Sequence, residues 1–203
     1  MKNLNVAALA AIVASSGAAH GIVIGFDDLS GGAFVSNQYA DATFSSDAGQ
    51  SLVAFGYGDA PSPGNVICTA DSSGTLNCTS SLFVSFTNPV NNLSFWAIEP
   101  NQFGAVANIE IYSNNALVGT VPLIGLAAAD GQFVLGNRFV DLSAFSNVSS
   151  IAVVALPGQT AIDDSYGGNG IGFDSFSFTA VPSPSSLALL GAGSIAVARR
   201  RRR

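Results

Sequence analysis

"LFVSFTNPVNNLSFWAIE", residues Leu82–Glu99, alternates between apolar and polar side chains twice over. Leu82, Val84 and Phe86 share one side of an extended chain, with Phe83 and Ser85 on the other. Leu93, Phe95, Ala97 and Glu99 then alternate with Ser94, Trp96 and Ile98. A period of two gives a strand one buried face and one wet face. Asn88-Pro89 and Asn91-Asn92 have turn composition, so the stretch predicts two strands with a turn between them. Trp96, set between Phe95 and Ala97, reads as a core residue.

The same rhythm recurs outward in both directions. Ile22–Phe26, Ser51–Phe55, Val66–Thr69, Ala107–Tyr112, Leu117–Pro122, Gln132–Leu135, Ile151–Ala155 and Ile171–Thr179 are short runs rich in Val, Ile, Phe and Thr. Gly, Pro, Asn, Asp and Ser clusters separate them, which is the signature of an all-β domain. Ser113-Asn114-Asn115 reads as a hairpin turn. Ala127 to Gly131 has room for one helical turn. Two half-wet sheets bury their apolar faces by stacking. The expected fold is all-β, a jelly-roll-like antiparallel β-sandwich.

Charge is distributed unevenly. All 13 acids lie between Asp27 and Asp174, and Arg138 is the one cation in residues 21–180, giving that body a net charge of −12. Nucleic-acid binding needs Lys and Arg to displace counterions, so nucleic acid is excluded as a partner. The one histidine, His20, stands at the edge of the body. That removes Ser-His-Asp and Cys-His catalysis and His-rich zinc sites.

Cys68 and Cys78 flank "TADSSGTLN". Asp71-Ser72-Ser73-Gly74 at its centre has turn composition, so the two flanks pair as a hairpin. In an oxidising compartment the two thiols form a disulfide.

Both ends of the chain read as addresses. Lys2, the apolar run Val6–Ala14 and the small residues Ser16 to Ala19 have the layout of a secretory signal peptide, residues 1–20. The β-sandwich domain then occupies residues 21–180. After it, Val181-Pro182-Ser183-Pro184 suits a linker, because proline lacks a ladder donor. Residues 185–198 are apolar apart from serines at their start and at Ser194, and Arg199, Arg200, Arg201, Arg202 and Arg203 follow. A cluster of this kind stays on the cytoplasmic side and halts translocation with the body outside. The apolar segment is short for a stable span and suits a temporary C-terminal transmembrane helix.

In this three-part order, residues 181–203 resemble the PEP-CTERM sorting signal of Gram-negative bacteria. The usual motif there is Val-Pro-Glu-Pro, and Ser183 takes the place of the Glu. The resemblance implies an exosortase as processing partner, passage through an inner-membrane intermediate, and final placement at the cell surface or in the extracellular matrix alongside exopolysaccharide. The body is similar to the β-sandwich domains often joined to this signal, which open on a strand carrying Phe-Asp-Asp and close on one like Phe-Asp-x-Phe-Ser-Phe-Thr. Here these are Phe26-Asp27-Asp28 and Phe173 to Thr179.

Three kinds of chemistry fit such a body. Calcium takes six to eight oxygen ligands from carboxylates and carbonyls. First and last strands that lie side by side would bring Asp27 and Asp28 towards Asp174, so these three are the candidate calcium ligands. Asp163 and Asp164, in a Gly/Asn-rich loop, come second. Carbohydrate binding calls for exposed aromatics beside polar groups, and Tyr166 beside those two acids is the ligand-binding candidate. Glycoside cleavage needs two carboxylates, and Glu99 and Glu110 are the only glutamates. Their spacing carries no signature. The expected role is therefore non-catalytic, structural or adhesive, with a carbohydrate-binding module as the alternative and a secreted hydrolase as a further one.

Overall fold

The computed structural model describes residues 21–98, 105–126, 136–156 and 170–182. The signal peptide, the run Gln132–Leu135, the turn at Ala127–Gly131, Glu99, Asp163, Asp164, Tyr166 and the tail from Ser183 onward lie outside the described residues.

The final strand organises the body. β10 (Gly172–Ala180) pairs antiparallel with β1 (Gly21–Ile24), from Gly21 opposite Thr179 to Ile24 opposite Phe176. It also meets β4 (Asn65–Asp71) at Phe173 opposite Ile67, and β5 (Leu82–Ile98) along its other side. First and last strands are therefore neighbours, as expected. β3 (Gln50–Gly56) extends the layer beyond β4.

The two strands expected between Leu82 and Glu99 are one. β5 runs unbroken for 17 residues, through Asn88-Pro89 and Asn91-Asn92. Asn92 takes a left-handed φ of 54°, and the register with β9 (Val148–Ala155) shifts between Ser85 and Val90. The turn-forming residues thus bend a strand in place of ending it, in the manner of a β-bulge.

That bend lets β5 belong to both layers. Its first half pairs with β2 (Ala42–Ser46) and β9, and its second half with β10 and β8 (Asn137–Asp141). From β9 the sheet continues to β6 (Ala105–Ser113) and β7 (Ala116–Ile124). Asn114 and Asn115, at φ 49° and 64°, make the β6–β7 turn, since both central residues of a type I′ hairpin need positive φ. All of these pairings are antiparallel.

Phenylalanines fill the space between the layers. Phe44 on β2 meets Phe176 on β10 at 5.4 Å between centroids, and Phe86 on β5 meets Phe178 at 5.0 Å. Neither β2 nor the first half of β5 is hydrogen-bonded to β10 at these residues, so the rings touch across the sandwich. Phe95 stacks on Phe176 at 5.0 Å and 16°. Each such ring contributes about 1.5–3 kcal/mol by leaving water. The alternation in β5 is kept: Leu82, Val84, Phe86, Leu93, Phe95 and Ala97 are buried, while Ser85 and Thr87 are exposed.

Candidate functional site

At one end of the sandwich a loop rich in Gly and Pro, 57–64, is tied down on both sides of β5. On the β10 side, Ser62 donates its backbone N–H to Asp174 Oδ2 at 3.0 Å. Its hydroxyl lies 2.9 Å from each oxygen of the same carboxylate. On the β8 side, Asn137 donates from Nδ2 to the carbonyl of Asp59 at 2.6 Å.

Asp174 is fully buried. A carboxylate in that position must be hydrogen-bonded to remain, and a third donor comes from Ser175 N–H at 2.6 Å. Ser175 reaches that geometry with a φ of 51°. Burial raises the Asp174 pKa above the ordinary 3.8, against the opposing pull of the Ser62 and Ser175 bonds.

Asp27 approaches the same loop from β1. Phe26, at φ 62°, turns the chain after the strand, and Asp27 Oδ1 accepts the N–H of Asn65 at 2.9 Å. Asn65 in turn donates from Nδ2 to the carbonyl of Leu29 at 2.6 Å. Gly64, at φ 132°, lies so close that a Cβ there would stand 2.6 Å from Asp27 Oδ1. Asp28 faces elsewhere and accepts the Tyr39 hydroxyl at 2.7 Å. Burial, with the Asp28 bond adding to it, raises the pKa of that phenol.

Of the three favoured calcium candidates, then, Asp27 and Asp174 converge on the Ser62–Asn65 segment and Asp28 does not. Among the described residues no three acids, His or Cys gather as metal ligands would.

The aromatic residues are placed differently from expectation. Trp96 is not in the core. It lies on the outer face of β5, half-buried, opposite Phe139 of β8 on one side and Asp174 of β10 on the other. The alternation had already set it against Phe95, and its apolar neighbours in sequence belong to the inner face. The two rings stand 5.1 Å apart at 55°, and Phe139 is 52% exposed. Beside them Asn137 Oδ1 is buried and accepts no hydrogen bond among the described residues. Such an acceptor costs about 1–3 kcal/mol while it stays unsatisfied.

Ser62, Asn137 and Phe139 carried no sequence signal for this site. Ser62 is 112 positions from Asp174, and nothing local ties the pair. "NRFVD" is short and largely polar, and only the pairing with β5 puts Phe139 against Trp96.

Glu110 lies on the outward side of β6, and Tyr112 donates its hydroxyl to the Glu110 carboxylate. That bond holds the Tyr112 phenol above its usual range. The residues opposite Glu110 are Thr120 and Ala152, neither of them an acid. Cys68 and Cys78 form the expected disulfide, with Cα atoms 4.9 Å apart. Asp71 Oδ1 caps the turn between them by accepting N–H bonds from Ser73 at 2.8 Å and Thr75 at 3.0 Å.

β10 ends at Ala180, and a model of the PEP-CTERM protein-sorting motif matches residues 180–203. The chain carries a PEP-CTERM sorting motif. The motif marks an exported protein that is processed by exosortase at the membrane and displayed outside the cell. The PEP-CTERM segment begins where the sheet stops: Val181 N–H donates to the Pro89 carbonyl at 2.8 Å, and no strand extends past it among the described residues. No match to a curated protein was found. Among solved structures, the K2 cleaved adhesin domain of Lys-gingipain is similar at 16% identity, over 79% of this chain and 99% of that one, with a TM-score of 0.45.

Proposed function

We propose that this exported chain is a non-catalytic component of the cell surface or extracellular matrix, structural or adhesive, working among exopolysaccharide. The observation that carries the reading is the sorting motif over residues 180–203. The body agrees with it. A net charge of −12 over residues 21–180 suits a protein kept soluble outside the cell. The Cys68–Cys78 disulfide suits an oxidising compartment. A carbohydrate-binding module is the second reading, favoured by Trp96 and Phe139 on the outer face.

The test follows both ends of the chain in a producing cell. The expected product has lost its arginines in an exosortase-dependent step, lies outside the inner membrane and has its two cysteines joined. Deleting Arg199–Arg203 is expected to block that step. An intact chain in the cytoplasm with free thiols would sink the reading. Turnover of any polysaccharide that disappears on Glu110→Gln would replace it with a hydrolase.

A further inference from the structure

The geometry points to a glycan-binding site at Trp96 and Phe139, taking the ring face of an uncharged sugar. This assignment rests on the surface placement proposed above and names the partner met there.

Two aromatic rings on a solvent-facing strand pair are an unusual use of apolar area. Inward positions on the same strands already fill the core, with Phe95, Ala97 and Val140 all buried. Phe139 is nonetheless 52% exposed, with the tilted indole beside it. The C–H face of a pyranose ring is the ligand that such a surface matches. It is apolar over about one aromatic ring and rimmed by hydroxyls that need hydrogen-bonding groups at the edge.

Those groups are present. Ser94 and Asp141 stand opposite each other, two residues along from Trp96 and Phe139 on the same face. On the other side is Asn137, whose side chain holds the carbonyl of Asp59. The segment from Asp59 to Ser62 is bonded to β8 at Asn137 and to β10 at Asp174, the strands on either side of Trp96.

Size and charge exclude the other occupants. Two half-covered aromatic side chains offer roughly 100–200 Å², far below the roughly 800 Å² each partner contributes to a stable protein interface. The body's charge of −12, with Arg138 its one cation, repels uronate, sulfate and phosphate polymers. Arg138 is also engaged, donating from Nη2 to the Gly125 carbonyl at 3.3 Å. The 55° between the rings offers no flat array, which favours a single chain over a crystalline surface.

The chain contains one tryptophan, which makes Trp96 emission a direct reporter. Full-length chain in mild detergent is titrated with soluble dextran, glucomannan and mixed-linkage β-glucan, with alginate as the anionic probe. Retardation in gels that contain the same polymers is measured in parallel. The expected result is a shift in Trp96 emission and retardation with at least one neutral polymer, and neither with alginate. Phe139→Ala and Trp96→Ala are expected to weaken retardation by about tenfold or more. Their melting temperatures check that both variants are folded, and Phe139→Leu keeps the volume while removing the ring. No response to any neutral polymer overturns the assignment, as does equal binding by the Phe139 variants. A dimer in solution that Phe139→Ala dissolves would assign the face to a second copy and overturn it too. None of these outcomes touches the export reading, which fails only on the location and processing of the chain.

Discussion

The hydroxyl of Ser62 lies 2.9 Å from both carboxylate oxygens of Asp174, across 112 positions of sequence. This contact holds an otherwise irregular loop onto the final strand. It buries a carboxylate that stands opposite Trp96 in the sheet.

Replacing Ser62 with Ala removes the hydroxyl and leaves only the backbone N–H of that residue on Asp174. Hydrogen bonds to charged groups make the expected loss about 1–3 kcal/mol. Thermal melting of the variant beside the parent measures it, and an unchanged midpoint would show that the loop is held by other contacts.

Asp174 gives the fold a pH dependence with a definite sign. Its folded pKa is raised above 3.8 by burial, so its neutral form is the one the fold prefers. Its stabilising contribution is whole below pH 3.8 and is lost as pH climbs through the raised value. An Asp174→Asn chain lacks this titration. Its melting temperature relative to the parent is expected to improve as the buffer moves from acid to neutral, and a constant difference across that range would refute the sign.

Reduction of Cys68–Cys78 opens a loop of sequence separation 10. Chain entropy alone puts the expected cost at about 2–3 kcal/mol. Chemical denaturation with and without a reductant reads it, and the Cys68→Ala/Cys78→Ala double variant should match the reduced parent.

Gly64→Ala sets a methyl 2.6 Å from Asp27 Oδ1 on a residue with φ 132°. Backbone strain and the displaced carboxylate act together, and a loss of about 1 kcal/mol or more is expected. Removing the carboxylate by Asp27→Ala in the same chain should recover part of the loss; if it recovers none, the strain lies in the backbone alone.

A chelator tests whether Asp27 and Asp174 share a cation. N–H and O–H donors already reach both oxygens of Asp174, and donors and a cation compete for the same lone pairs. The melting midpoint is expected to be the same with and without EDTA. A fall on chelation would show calcium bound after all.

Much of the framework was legible from residue order. Alternation identified β6, β10 and the two halves of β5, the turn between the cysteines in an exported chain identified the bridge, and the first and last strands do pair. The exceptions share a physical cause. "ATFSS" at Ala42–Ser46 and "NRFVD" at Asn137–Asp141 are short and largely polar, so local preference is weak and pairing with β5 decides them. Asn88-Pro89 has turn chemistry, yet a strand with partners on both sides absorbs it as a bend. The apolar neighbours of Trp96 in sequence suggest a core residue, but its own position in the alternation points outward. Ser62 was invisible because a serine in a Gly/Pro loop gains meaning only from a carboxylate that the fold brings to it.

The placement of β10 governs how the body bears load once it is displayed. Asp174, near the strand's start, lies across from Trp96, and Val181, just past its end, hangs on Pro89 of the same neighbouring strand. Tension between something gripped at the aromatic end and the tail therefore runs lengthwise along β10 and β5. It is opposed by many ladder bonds in shear at once, whereas peeling would break them one at a time.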